Sequence, residues 1–177
     1  MLQRRIPYFG KVLAVLCALL LTTSNVRTCP DSSCIIAVAE SQIGNCEEGG
    51  NNRGYHVEKY LRAVNLGGGY AWCSAFVAWT LDICGVDHNI NAWSPTAVAQ
   101  NIVWEKGKGE APKEGDVFGI YYRSKGRIGH VGFIEKWGKK YATTIEGNTN
   151  EEGSREGDCV LRKYRHKSVI YRVSRWD

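Results

Sequence analysis

The hydrophobic pattern of this 177-residue chain changes period once, across "KGKGEAPKEG" at residues 106–115. Before that point apolar residues recur at helical spacing. "SSCIIAVAESQIG" places Ile35, Ile36, Ala39 and Ile43 on one face and predicts a helix ending at Gly44. "YHVEKYLRAVN" places Val57, Tyr60, Leu61 and Val64 at i, i+3, i+4 and i+7 and predicts a second. A third is expected from Cys73 to Cys84, stopped by Gly85. "SPTAVAQNIVW" predicts a fourth, with Ser94 as N-cap and Pro95 at the first helical position. After the break come "DVFGIYY", "IGHVGFIEKW", "KYATTIEGN", "CVLRKYR" and "VIYRVSRW". These runs are short, rich in β-branched and aromatic residues, and separated by turn signals. Helices followed by strands give an α+β class: N-terminal helices packed on a C-terminal antiparallel sheet of about five strands, joined as a meander.

The first 24 residues stand apart from this pattern. Arg4, Arg5 and Lys11 precede the uninterrupted apolar run Val12–Leu21, and "TTSN" follows. That order reads as a secretory signal peptide. As a helix the run would be roughly 15 Å long against a hydrocarbon core of about 30 Å, too short for a stable span. An uncleaved anchor, or lipid attachment at Cys29, are the alternatives. Cleavage near Ser24 would remove three basic residues and no acidic one, taking the formal charge from +5 to +2. That leaves no electrostatic case for nucleic-acid binding. Residues 25–177 are expected to form one domain, since this length holds one core and is short for two.

Export puts the cysteines where thiols pair. Without Cys17, six remain: Cys29, Cys34, Cys46, Cys73, Cys84 and Cys159. Cys84 lies at helical spacing on an apolar face and is expected to be an unpaired buried residue. It cannot bridge Cys73, because eleven residues of helix would hold the two roughly 16 Å apart while a disulfide needs Cα atoms within about 7 Å. Cys29, Cys34, Cys46 and Cys159 allow three pairings. No C-x₂-C pair exists, so no metal site is expected.

Cys73 opens a helix behind "GGGYAW". Unpaired N–H groups at a helix start stabilise an anion and lower a thiol's pKa, which makes Cys73 a candidate nucleophile. Such a nucleophile needs a base. His56, His88 and His166 lie in polar or solvent-facing contexts. His130 sits in "RIGHVGFIE", between Gly129 and Gly132, at the start of an apolar strand. Glycines there let a substrate or another backbone approach closely; the alternative is a hydrogen-bonded core histidine. The next strand carries Glu146 and Asn148 two apart, on one face, placed to orient an imidazole and stabilise its cation.

"YAWCSAFVAWTL", "GDVFGI", "GHVGFIE" and "TIEGN" together resemble a CHAP domain, the cysteine- and histidine-dependent amidohydrolase/peptidase group of the papain-like NlpC-type superfamily. The resemblance covers about residues 35–150. It implies a papain-like fold in which Cys73 is the nucleophile, His130 the base and acid, and Glu146 the group that orients it. Asn148 would support the histidine or the substrate, and Tyr70 and Trp72 would line the cleft or belong to the core. It implies cleavage of amide bonds in peptidoglycan, within stem peptides or between muramic acid and L-alanine. The partner is then peptidoglycan or its fragments, with no cofactor; the signal peptide implies a periplasmic or extracellular bacterial location, the charge argues against nucleic acid, and with no periodic stripe arguing for assembly a monomer is expected.

Rival functions are discriminated by simple features. An inactive wall-binding module should show a damaged triad. A thiol–disulfide oxidoreductase wants C-x-x-C, which is absent. The permuted, lipid-acting relatives place histidine before cysteine, the reverse of the order here. An exported toxin against neighbouring bacteria would share the same chemistry.

Overall fold

The computed structural model describes residues 32–151 and 157–176; the expected signal peptide and Cys29 lie outside them. Three helices, α1 (Ser32–Glu40), α2 (Tyr55–Ala63) and α3 (Cys73–Ile83), precede a run of strands. The strands are β1 (Ile102–Glu105), β2 (Lys108–Gly109), β3 (Val117–Tyr122), β4 (Arg127–Trp137), β5 (Tyr141–Thr149), β6 (Cys159–His166) and β7 (Ile170–Ser174). They form one antiparallel sheet in the order β2-β1-β7-β3-β4-β5-β6, so the α+β class stands with more strands than expected.

α2 buries Val57, Tyr60 and Leu61, and carries Glu58 in its first turn and Arg62 in its last, as the helix dipole favours. α3 is buried on nearly every side, including Cys73 to Ala78, Thr80 and Leu81, which makes it the central helix of the core. Gly85 follows at φ +69°, a left-handed conformation that ends the helix at low cost. α3 lies hard against β5. A Cβ on Gly147 would sit 2.7 Å from the Trp72 ring and 2.8 Å from Phe76, so only glycine permits this approach.

Three expectations are corrected. The fourth helix is a single 3-10 turn, Ser94–Val98. Ser94 and Pro95 do start a helical turn, but Asn101 at φ +52° redirects the chain into β1. There Trp104 pairs with Val173, and sheet pairing wins over helical spacing. The turn after β1 has Lys106 and Gly107 both at positive φ, the geometry of a tight hairpin, which makes β2 where the hydrophobic period changes. The sheet is not a simple meander, because β7 inserts between β1 and β3.

The third correction concerns the cysteines. Cys84 is bonded to Cys34 and Cys46 to Cys159, and Cys73 is the free cysteine among the described residues. The apolar face on which Cys84 lies is also the face that meets α1, so burial and pairing coincide there. The two bridges close 50 and 113 residues of chain. Cys34→Ala/Cys84→Ala is expected to lower unfolding free energy by about 2–4 kcal/mol, chiefly by freeing the unfolded chain. Urea denaturation of the variant against the oxidised protein measures it.

Among the described residues no helix is long and apolar enough to cross a membrane, and no group of three or more metal-ligating side chains occurs.

Candidate active site

The start of α3 faces the middle of β4 and β5, and this brings Cys73, His130 and Glu146 into one buried line. They are 4%, 7% and 0% exposed. His130 Nε2 lies 2.8 Å from Glu146 Oε2, and the Cys73 thiol is the second group that acts on this imidazole. Cys73 Sγ also lies 3.5 Å from Ser94 Oγ, at the first residue of the 3-10 turn.

Local backbone features aim these groups. The β3–β4 register slips between Ile120 opposite His130 and Tyr121 opposite Ile128, so Gly129 is the extra residue of a bulge. Its missing side chain is required, since a Cβ there would lie 2.4 Å from the Tyr122 ring. Gly132 serves the carboxylate: a Cβ there would meet Glu146 Cγ at 3.0 Å and the Ile145 carbonyl at 2.8 Å. The two glycines that flank the histidine therefore make room for protein groups on this strand.

Glu146 is anchored from behind. Arg165 on β6 donates two hydrogen bonds to it, Nε to Oε1 at 2.8 Å and Nη2 to Oε2 at 2.5 Å. Thr144 Oγ1 donates to Oε1 at 2.6 Å. Burial alone would raise this carboxyl's pKa, but Arg165 and His130 hold it well below the ordinary carboxylate range. Arg165 and Thr144 were missed in the sequence. The signal was present in β6, where Leu161, Lys163 and Arg165 face inward and Arg162, Tyr164 and His166 face out, beside a strand carrying an acid.

Burial pushes the Cys73 thiol up and the His130 imidazolium down, yet both shifts are reversed by their contacts. His130, Ser94 and a Val131 backbone contact bring the thiol below 9.0. Cys73 and Glu146 raise His130 from 6.5 to about 9. Between the lowered value of the thiol and the raised value of the imidazolium the pair is a thiolate and an imidazolium. The first N–H groups of α3 have no side-chain cap and add their partial positive charge at the sulfur.

Asn148 lines the same cleft but makes no hydrogen bond to His130. Its side chain, on a residue at φ +55°, accepts from the Trp72 N–H at 3.4 Å and donates to the Gly157 carbonyl at 2.7 Å. It steadies the start of α3. Trp72 is fully buried, stacked on Tyr60 and donating from Nε1 to Glu47 at 2.9 Å, so it belongs to the core. Tyr70 is exposed and does not line the cleft; Trp93 does, from the loop before the 3-10 turn. His88, expected at the surface, packs its side chain inward against the Ala78 carbonyl and Asp82.

The cleft measures about 170 Å³. A wider surface groove of about 1080 Å³, by Trp104, Tyr121 and Tyr171, contains neither Cys73 nor His130.

Residues 65–148 match the CHAP domain family. The fold is similar to that of an NlpC/P60 family protein from Bacillus cereus ATCC 10987, with a TM-score of 0.53 and 14% identity over 83% of this chain. PlyC is a second similar structure, with a TM-score of 0.45 and 19% identity over 82% of this chain. The chain spans 40% of the first of these proteins and 35% of the second. No curated protein matches it. Residues 65–148 of this chain match the CHAP domain family, on a fold of the NlpC/P60, papain-like kind.

Proposed function

We propose that this protein is an exported cysteine hydrolase that cleaves amide bonds of peptidoglycan, as a stem-peptide endopeptidase or an N-acetylmuramoyl-L-alanine amidase. The observation that carries this reading is the buried line of Cys73, His130 and Glu146 at the uncapped start of α3. The Cys73 thiolate attacks the amide carbonyl carbon and its electron pair forms the C–S bond. Charge moves to the carbonyl oxygen, where N–H groups at the start of α3 stabilise it. His130 gives its proton to the leaving nitrogen as the C–N bond breaks, which leaves a thioester. A water then loses a proton to His130, attacks the thioester and releases the acid and the thiolate. Glu146 holds the imidazole in one orientation and offsets its positive charge. Two disulfides support a working place outside the cytosol.

Digestion of purified peptidoglycan, with mass spectrometry of the soluble products, tests the reading. The expected result is new fragments from the wild type and none from Cys73→Ala, whose melting temperature stays close to that of the parent. The masses name the bond, lactyl amide or peptide. Fragments released equally by Cys73→Ala would overturn the mechanism, and pelleting of both proteins with the wall without cleavage would favour a binding module.

A further inference from the structure

The cleft that holds Cys73 and His130 is also lined by Lys125, Arg127 and Arg165, and by no aspartate or glutamate. Arg165 has its carboxylate, the fully buried Glu146. Lys125 and Arg127 have none among the described residues. Lys125 lies over the Tyr122 ring at 5.4 Å. Arg127 donates from Nη1 to the Ile128 carbonyl at 2.8 Å, and its guanidinium lies 6.0 Å from the ring of Trp93. A guanidinium so placed keeps further N–H groups for a partner, in the planar fork that fits a carboxylate.

These charges are not explained by the nucleophile. The groups that lower the Cys73 thiol are His130, Ser94 and the Val131 backbone, and none of the three cations is among them. Lys125 is exposed at the rim and Arg127 and Arg165 are half-buried in the walls, and a small cleft with one sign of charge on its walls focuses its field on whatever enters. Arg127 precedes His130 by three residues on β4 with the Gly129 bulge between them, so at most about 10 Å of strand separates them, the reach of up to roughly three residues of an extended substrate.

We propose that the cleft selects amide substrates bearing a free carboxylate within about three residues of the scissile bond, held by Arg127 with Lys125 beside it and Trp93 as the aromatic wall. This narrows the substrate class of the amide hydrolase proposed above and rests on that reading.

The test uses one peptidoglycan preparation in two forms, native and with its carboxylates converted to primary amides by carbodiimide and ammonia. Initial rates of fragment release are measured for the wild type and for Lys125→Gln/Arg127→Gln, whose folding is checked by thermal melting. The wild type is expected to release fragments from the native form at least about tenfold faster, as for loss of one charge-assisted contact, and the preference should shrink in high salt. The double variant should treat the two forms within about twofold. A wild type that cleaves both forms equally, or a variant that keeps the full preference, overturns the inference and leaves the hydrolase reading standing. A wild type that cleaves neither form overturns the hydrolase reading and this inference with it.

Discussion

Arg165→Met is expected to destabilise the protein by about 3 kcal/mol at neutral pH, the lower end for breaking a buried ion pair, because the guanidinium is itself partly exposed. The variant leaves Glu146 with the Thr144 hydroxyl and His130 but without its bidentate cation. The sign of the pH dependence is fixed by the direction of the shift. Glu146 has its folded pKa depressed, so its contribution is fully present above the unfolded value of about 4.3 and is lost as pH falls through the folded one. The gap between wild type and variant should therefore be full at pH 7 and close in strongly acidic solution. Arg165→Met/Glu146→Gln should recover much of the loss, since a neutral amide no longer needs the cation. Urea unfolding across pH measures both effects. Equal midpoints for Arg165→Met and wild type at pH 7 would show that Arg165 does not hold the carboxylate.

Hydrolysis is expected to persist on the acid side of the ordinary thiol range and to fall about tenfold per pH unit above pH 9. The thiol is shifted down and His130 up to about 9, so the thiolate–imidazolium pair spans the interval between them. Above about 9 the imidazolium loses the proton that the leaving nitrogen needs, and the thiolate alone cannot finish the step. Folded-state protonation of His130 also stabilises the protein below the unfolded value near 6.5, and this is lost as pH rises through about 9. Rates must therefore be taken with stability monitored at the same pH. Glu146→Gln should move the alkaline limb to lower pH, since it removes a charge that raises His130. An alkaline limb starting near pH 6.5 in the wild type would mean that the imidazole titrates as if unpaired.

The helix-opening cysteine, the glycine-flanked histidine and the acid two residues before Asn148 were legible because each is a local pattern: a helix start, a strand with gaps, and strand alternation. What escaped depends on which distant segment packs where. Arg165 is one more cation in a basic strand until β6 pairs with β5 and turns it toward Glu146. Cys84 occupies an apolar helix face whichever partner covers it, and only the docking of α1 decides that it pairs. Trp72 and Trp93 are both aromatics near Cys73; burial against Tyr60 sends the first inward and leaves the second at the cleft. The fourth helix failed for a similar reason, because Ile102 to Glu105 find a strand partner about seventy residues away in sequence.

The position of β7 between β1 and β3 has a consequence for when this molecule can assemble. Both neighbours are synthesised well before β7, and β3 also pairs with β4, the strand of the histidine. A nascent chain that has emerged through residue 148 already carries the cysteine, the histidine and the glutamate, yet its sheet has a gap in the middle and the carboxylate lacks its arginine. Closure waits for residues 170–174, which act as a keystone that arrives after the arch is laid out. Any attempt to graft the proposed site onto another protein must therefore take the two strands beyond the matched segment, and a fragment ending at 148 would carry Cys73, His130 and Glu146 without the architecture that aligns them.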